Sequence, residues 1–162
     1  MKKKLSQNLT LFYSNNFPKK FNNNSSKKYD VTLGIGGNIG NTKKIFDKLI
    51  LCLKKDSRFT LLMTSPLLQN PPFGFLEQND FLNGIITIKS DLCPNELLQA
   101  MQRYETKFGR KRSFQDAPRT LDIDIIFFDN KKIDTKNLII PHKNWANRES
   151  VIIPLKYMKN NF

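Results

Sequence analysis

The stretch Pro118-Arg119-Thr120-Leu121-Asp122-Ile123-Asp124-Ile125-Ile126-Phe127-Phe128 reads as a buried strand with an acidic mouth. Beyond Asp124 it is β-branched and aromatic, and Asp129-Asn130 ends it as a turn. On an extended strand, side chains two apart share a face, with Cα atoms about 6.5–7 Å apart. Asp122 and Asp124 therefore point the same way, with Ile126 and Phe128 next on that face. Carboxylates in such a place are costly to bury unless they are paired or hold cations. Arg119 adjoins them, and Arg110, Lys111 and Arg112 stand shortly before. Two readings are open here. One is a salt-bridged strand end. The other is a pair of acids holding a hard metal amid cations that grip anionic oxygen, as a nucleoside triphosphate requires.

The chain of 162 residues is long enough for one domain with a proper core, and its 39% apolar and 25% charged residues are those of a soluble globular protein. No apolar run approaches the roughly 18 residues of a membrane span. The net charge of +13 is unevenly placed: residues 1–29 carry seven lysines and no acid. That segment reads as an Asn/Lys/Ser-rich extension, poorly ordered or loosely packed, with order beginning near Tyr29. Its Met1-Lys2-Lys3-Lys4 start has a faint signal-peptide look, but the apolar stretch that follows is short and has no small-residue cleavage site. Cys52 and Cys93, with no CxxC spacing, suit reduced thiols and a cytoplasmic protein.

From Tyr29 onward, Val31, Leu33 and Ile35 alternate as a strand running into Gly34-Ile35-Gly36-Gly37-Asn38-Ile39-Gly40. The third glycine falls one place late for a dinucleotide fingerprint, and no acidic residue closes a second strand about 20 residues on. A tight strand-to-helix turn fits better. Asn41 or Thr42 caps a helix with the stripe Ile45, Phe46, Leu49 and Leu53, and Phe59 to Thr64 forms a second strand. Ser65 to Gly74, with Pro71-Pro72, reads as a stiff irregular loop. Asp80 to Lys89 is a strand with Leu82, Ile86 and Ile88 on one face and Phe81, Asn83, Ile85 and Thr87 on the other. Phe81 and Asn83 offer an aromatic plane beside an amide, which suits a heteroaromatic ring or ordinary core packing.

Pro94 opens a helix with the stripe Leu97, Leu98, Met101, Tyr104 and Phe108, closed by Gly109. Gln102 and Glu105 share a face of its last turns. Arg110 to Pro118 is a basic loop with little apolar anchorage, expected to move. After the acidic strand, Ile133 to Ile140 is a short extended piece leading to Pro141-His142, and Asn144 begins a helical tail. The βαββαβ order predicts an α+β, ferredoxin-like domain over 30–162, an antiparallel sheet with helices packed on it. That architecture hosts many functions and selects none.

Four segments together carry a resemblance. Gly36-Gly37-Asn38-Ile39-Gly40, Asn70-Pro71-Pro72-Phe73-Gly74 with Phe81-Leu82-Asn83, Pro118 to Asp124, and Ile140-Pro141-His142 with Asn147-Arg148 stand in the order and spacing of the 6-hydroxymethyl-7,8-dihydropterin pyrophosphokinases. The resemblance covers about 30–160 and implies a ferredoxin-like fold. It also implies transfer of pyrophosphate from ATP to the hydroxymethyl group of a reduced pterin, with release of AMP. By position it implies that Asp122 and Asp124 hold two Mg²⁺ ions, and that Arg110 and Arg119 stabilise phosphate charge. Gln102, Glu105, Arg112, His142 and Arg148 would join Arg110 in binding ATP. Asn70, Pro71, Pro72 and Phe73, with Phe81 and Asn83, would form the pterin pocket.

The sequence departs from that pattern in places. The loop from Arg112 to Arg119 is about one residue shorter, with Asp116 near the position of a lid tryptophan. Ser150 stands where a phenylalanine stacks on the pterin, a loss on the order of 1 kcal/mol. Lys143 follows His142 in place of a tyrosine. A rival class is a ferredoxin-like RNA-binding module with a basic tail. Its comparable strand would display aromatics, whereas here it carries two acids that repel phosphate. The expected partners are therefore ATP and the reduced pterin, acting on a monomer with no specific nucleic acid and no membrane.

Overall fold

The computed structural model describes residues 1–161 as a mixed α and β protein built on a large antiparallel sheet. In chain order the elements are β1 (Lys2–Lys4), β2 (Thr10–Phe12), β3 (Lys19–Lys20), β4 (Tyr29–Gly37), α1 (Thr42–Lys55), β5 (Phe59–Thr64) and β6 (Leu67–Asn70). They continue with β7 (Phe81–Ser90), α2 (Pro94–Lys107), β8 (Asp122–Phe128), the small hairpin β9 (Ile133–Asp134) and β10 (Ile139–Ile140), and α3 (Glu149–Asn160). The strand order is β1-β2-β6-β7-β4-β8, while β5 pairs with β7 beyond the end of β6 and carries β3 on its other edge. Among the described residues, no helix is long and apolar enough to cross a membrane.

The helices form where the apolar spacing and caps require. Asn41 accepts from the Lys44 amide at 3.1 Å, and Phe46, Leu49, Ile50 and Leu53 of α1 are buried. Pro94 opens α2, Glu96 reaches back to the Cys93 amide at 2.9 Å, and Gly109 leaves the helix at φ +82°. Both helices cover one sheet face, where Val31, Leu33, Ile35, Ile86, Ile88, Ile123 and Ile125 meet them. The opposite face has a smaller core of Ile85, Ile126, Val151 and Met158 under α3. Its other end stays free for chemistry.

Three expectations are corrected. Residues 1–28 are not loosely packed: β2 pairs with β6, β3 pairs with β5, and Leu11, Phe17 and Phe21 are buried. The loop assigned to Ser65–Gly74 contains a strand. Leu67 to Asn70 lie between Pro66 and Pro71 with their amides available, and they pair with β7 on one side and β2 on the other. Phe128 does not share a face with Ile126. The register shifts opposite Thr32/Leu33, skipping Ile126, so Phe128 joins the core beneath α1 and α2 while Ile126 stays under α3.

The helix layer is tied by Asp56, just past the end of α1. Its carboxylate accepts from the Arg58 guanidinium at 2.9 and 2.6 Å and from the Tyr104 hydroxyl of α2 at 2.6 Å. The bond from Arg58, helped by Tyr104 and opposed by burial, lowers the Asp56 pKa to about 2. Because this folded value lies below the ordinary 3.8, the stabilisation is complete above 3.8 and is lost as pH falls through about 2. Solvent screening leaves it at about 1 kcal/mol. Thermal melts of the Asp56→Asn variant between pH 5 and pH 2 are expected to show a shallower acid decline than the parent, and parallel declines would refute this role.

Candidate active site

Asp122 and Asp124 lie at the open end of the α3 face of β8. Their cross-strand neighbours on β4 are Gly36 and Gly34, so no side chain crowds the carboxylates from that strand. Gly36 is in turn the partner of Asn83 on β7, and a Cβ at Gly36 would lie 2.6 Å from Asn83 Oδ1. Asp122, Gly36 and Asn83 therefore form one row across three strands, acid at one end and amide at the other.

The charge balance is uneven along the pair. Asp122 Oδ1 accepts from Arg110 Nη1 at 2.6 Å, and Asp122 Oδ2 lies 3.2 Å from Arg119 Nε. Arg110 Nη1 also lies 2.7 Å from Glu105 Oε1, which accepts from the Ile123 amide at 2.8 Å. Burial pushes the Glu105 pKa well above the usual carboxylate range, opposed by the Ile123 amide. Asp124 has His142 Nε2 at 3.7 Å. Burial and the neighbouring Asp122 charge push Asp124 upward, with Arg148 and Arg119 opposing. Burial and the Arg148 charge lower the His142 pKa, which favours a neutral imidazole.

A cavity of about 370 Å³ opens beside the acids, lined among others by Gln102, Glu105, Arg110, Arg112, Arg119, Asp122 and Asp124. Seven of the expected site residues thus meet in one place, and His142 joins them through Asp124. Asn70, Phe81 and Asn83 form an adjoining group: Asn83 donates to Asn70 Oδ1 at 2.7 Å, and the Arg119 guanidinium lies 4.7 Å from the Phe81 ring centre. Phe73 is not drawn in; its side chain is 83% exposed. Pro71 and Pro72 hold the loop that leaves Asn70, and Ser150 sits in the first turn of α3.

Two nitrogens at the site, Arg119 Nε and His142 Nδ1, are shielded from solvent without an aligned hydrogen-bond partner. Buried polar atoms of this kind call for a partner. Among the described residues no group of three or more His, Cys, Asp or Glu forms a metal cage by itself. Mg²⁺ is usually held by one or two carboxylates with phosphates and waters completing its shell, so the hard oxygens of Asp122 and Asp124 beside the Arg110 and Arg119 cations fit a metal–phosphate ligand.

Sequence reasoning missed Asn38 and Gln78. Asn38 Oδ1 accepts from the Arg119 amide at 3.0 Å, and its backbone amide donates to the Arg119 carbonyl at 2.9 Å. Asn38 Nδ2 donates to Gln78 Oε1 at 2.8 Å, and Gln78 Nε2 donates to the carbonyls of Phe75 at 2.6 Å and Asp116 at 2.9 Å. The 110–119 loop is thereby tied to the 71–80 loop, with Phe114 edge-on to Phe75 at 5.3 Å. Only the position of Asn38 inside the glycine-rich turn could have drawn attention to it.

Residues 32–160 match the family described as 7,8-dihydro-6-hydroxymethylpterin-pyrophosphokinase. The chain belongs to this family. It is 45% identical to the 2-amino-4-hydroxy-6-hydroxymethyldihydropteridine pyrophosphokinase of Campylobacter jejuni over 139 residues, covering 86% of this chain and 88% of that one. The protein of the same name from Helicobacter pylori is 39% identical over 141 residues, 86% of each chain. That of Bacillus subtilis is 34% identical over 123 residues, 76% of this chain and 74% of its own. The chain is thus a pyrophosphokinase of folate biosynthesis that acts on ATP and hydroxymethyldihydropterin.

Glu105 is buried at 5% exposure and anchors both Arg110 and the β8 backbone. Its replacement by alanine strands the Ile123 amide and is expected to cost about 2–3 kcal/mol in urea unfolding. Glu105→Gln keeps an acceptor oxygen and should lose less; equal losses would show that the Ile123 bond is not the cause.

Proposed function

We propose that the cavity beside Asp122 and Asp124 is where the terminal pyrophosphate of ATP passes to the pterin hydroxymethyl group, releasing AMP. The observation that carries this reading is the pair of acids on one face of β8, set against glycines and flanked by Arg110 and Arg119. Asp122 and Asp124 would hold two Mg²⁺ ions, which neutralise phosphate charge and lower the proton affinity of the attacking hydroxyl when bound.

The protein's own groups supply the rest. Without ligand, Asp122 is neutralised by the two arginines. The phosphate oxygens of ATP would take those arginines instead, leaving the Asp122 carboxylate to hold a metal ion. Arg110 and Arg119 then stabilise the charge that grows as the bond to the α-phosphate breaks. Glu105 keeps Arg110 aimed during that exchange, and Gln102, Arg112, His142 and Arg148 hold the nucleotide. The backbone from Asn70 to Phe73, with Phe81 and Asn83, receives the pterin, Asn83 reading its edge.

The catalytic domain is assigned to 30–162, following the segment 1–29, with a ferredoxin-like core. The order β8-β4-β7-β5, with α1 and α2 as crossovers, supports that class. The enzyme is read as a cytoplasmic monomer with no specific nucleic-acid partner; the free thiols of Cys52 and Cys93 suit a reducing compartment.

Incubation with ATP, Mg²⁺ and 6-hydroxymethyl-7,8-dihydropterin is expected to yield AMP, and Asp124→Ala should lower turnover about a thousandfold or more. ADP in place of AMP would sink the pyrophosphate assignment. Full activity in Asp124→Ala would sink the metal assignment.

A further inference from the structure

The row that joins Asp122 to Asn83 does not stop at β7. Asn83 is the register partner of Leu68 on β6, and Leu68 is the partner of Leu11 on β2. Leu11-Leu68-Asn83-Gly36-Asp122 thus crosses five strands on one face, and both leucines are fully buried. The match to the family begins at residue 32, so Leu11 lies outside it.

β6 has only four residues, bounded by Pro66 and Pro71-Pro72. Its last residue, Asn70, accepts the hydrogen bond from Asn83 at 2.7 Å. Without β2 it would be a short edge strand, paired on one side and prone to fray. With β2 it is paired on both sides, from Leu67↔Phe12 to Gln69↔Thr10. β2 is itself anchored. Lys43 Nζ lies 3.7 Å from the Phe12 ring centre, and β1 pairs with the outer edge of β2.

We infer that the N-terminal strand Thr10–Phe12, through Leu11 packed beside Leu68, is a positioning element that sets Asn70 and Asn83 for the dihydropterin. Leu11 touches no substrate. It acts by holding β6 in register, so its loss loosens the pterin side of the site and leaves the ATP side intact. This rests on the assignment of Asn70 and Asn83 to the pterin.

The test uses the full-length enzyme and its Leu11→Ala, Leu11→Met, Phe17→Ala and Asn83→Ala variants, assayed at a temperature where circular dichroism shows each folded. Phe17 is as deeply buried as Leu11, but it belongs to the core under α1 and lies off the row. Leu11→Ala is expected to raise the KM for the dihydropterin about tenfold while the KM for ATP stays within about twofold. Leu11→Met should restore the parental value, and Phe17→Ala should lower the melting temperature without moving either KM. Where Leu11→Ala does not fold, Leu11→Val carries the same comparison with a smaller rise. A folded Leu11 variant with parental dihydropterin KM overturns the inference, as does a parallel rise in the KM for ATP or an equal effect of Phe17→Ala. Failure of the parent to form AMP overturns the functional reading instead. A parental dihydropterin KM in Asn83→Ala overturns the pterin assignment, and the inference with it.

Discussion

Two carboxylates side by side at the end of an apolar strand impose a cost that shapes everything near them. The structure meets it unequally. Asp122 is held by two guanidinium groups, whereas Asp124 has His142 at 3.7 Å and the more distant charge of Arg148. This arrangement needs an edge strand. On an interior strand both backbone edges would be committed to neighbours, but β8 has a free edge, and Glu105 of α2 uses it to take the Ile123 amide. The same Glu105 oxygen turns toward Arg110, so one buried side chain fixes the strand and the cation together.

The sheet divides its labour by face. α1 and α2 bury the larger core and supply most of the hydrophobic stabilisation, which leaves the second face only partly covered by α3. Gly34 and Gly36 let neighbouring side chains lie close over β4, Ile126 over the first and Asn83 over the second. Each glycine in a strand interior costs about 0.5–1 kcal/mol relative to alanine. The loss is tolerated because β4 is paired along both edges, with β7 over nine positions and with β8 over six.

What could be read in the sequence follows from which features repeat. The stripes of α1 and α2, their caps and the alternation of β7 are periodic, and they lie where the spacing placed them. The acids and arginines were visible because charged residues crowd one short stretch. β1 to β3 were not visible, since strands of two or three residues have no period to detect. Phe17 and Phe21 are single apolar residues among Asn, Pro and Lys, Leu11 lies in the short run Leu9 to Tyr13, and only tertiary pairing shows that each is buried. β6 was hidden by the prolines on either side of it, which bound the strand without entering it. Phe128 was misplaced because a bulge breaks the two-residue alternation and leaves no mark in composition.

The loops around the site obey a different rule. They have no ladder to satisfy their backbone groups, so side-chain amides do it. A single Asn or Gln carries two donors and an acceptor oxygen with two lone pairs, enough to bridge separate segments. Asn38 and Gln78 use that capacity to join the glycine-rich turn, the 71–80 loop and the 110–119 loop. The consequence falls on Arg119. Its backbone is fixed through both its amide and its carbonyl, while its Nε remains without an aligned acceptor. In the proposed reaction, a rigid main chain under a head held by Asp122 at 3.2 Å and the Ala117 carbonyl at 2.9 Å would let the guanidinium exchange carboxylate for phosphate while its anchor stays in place.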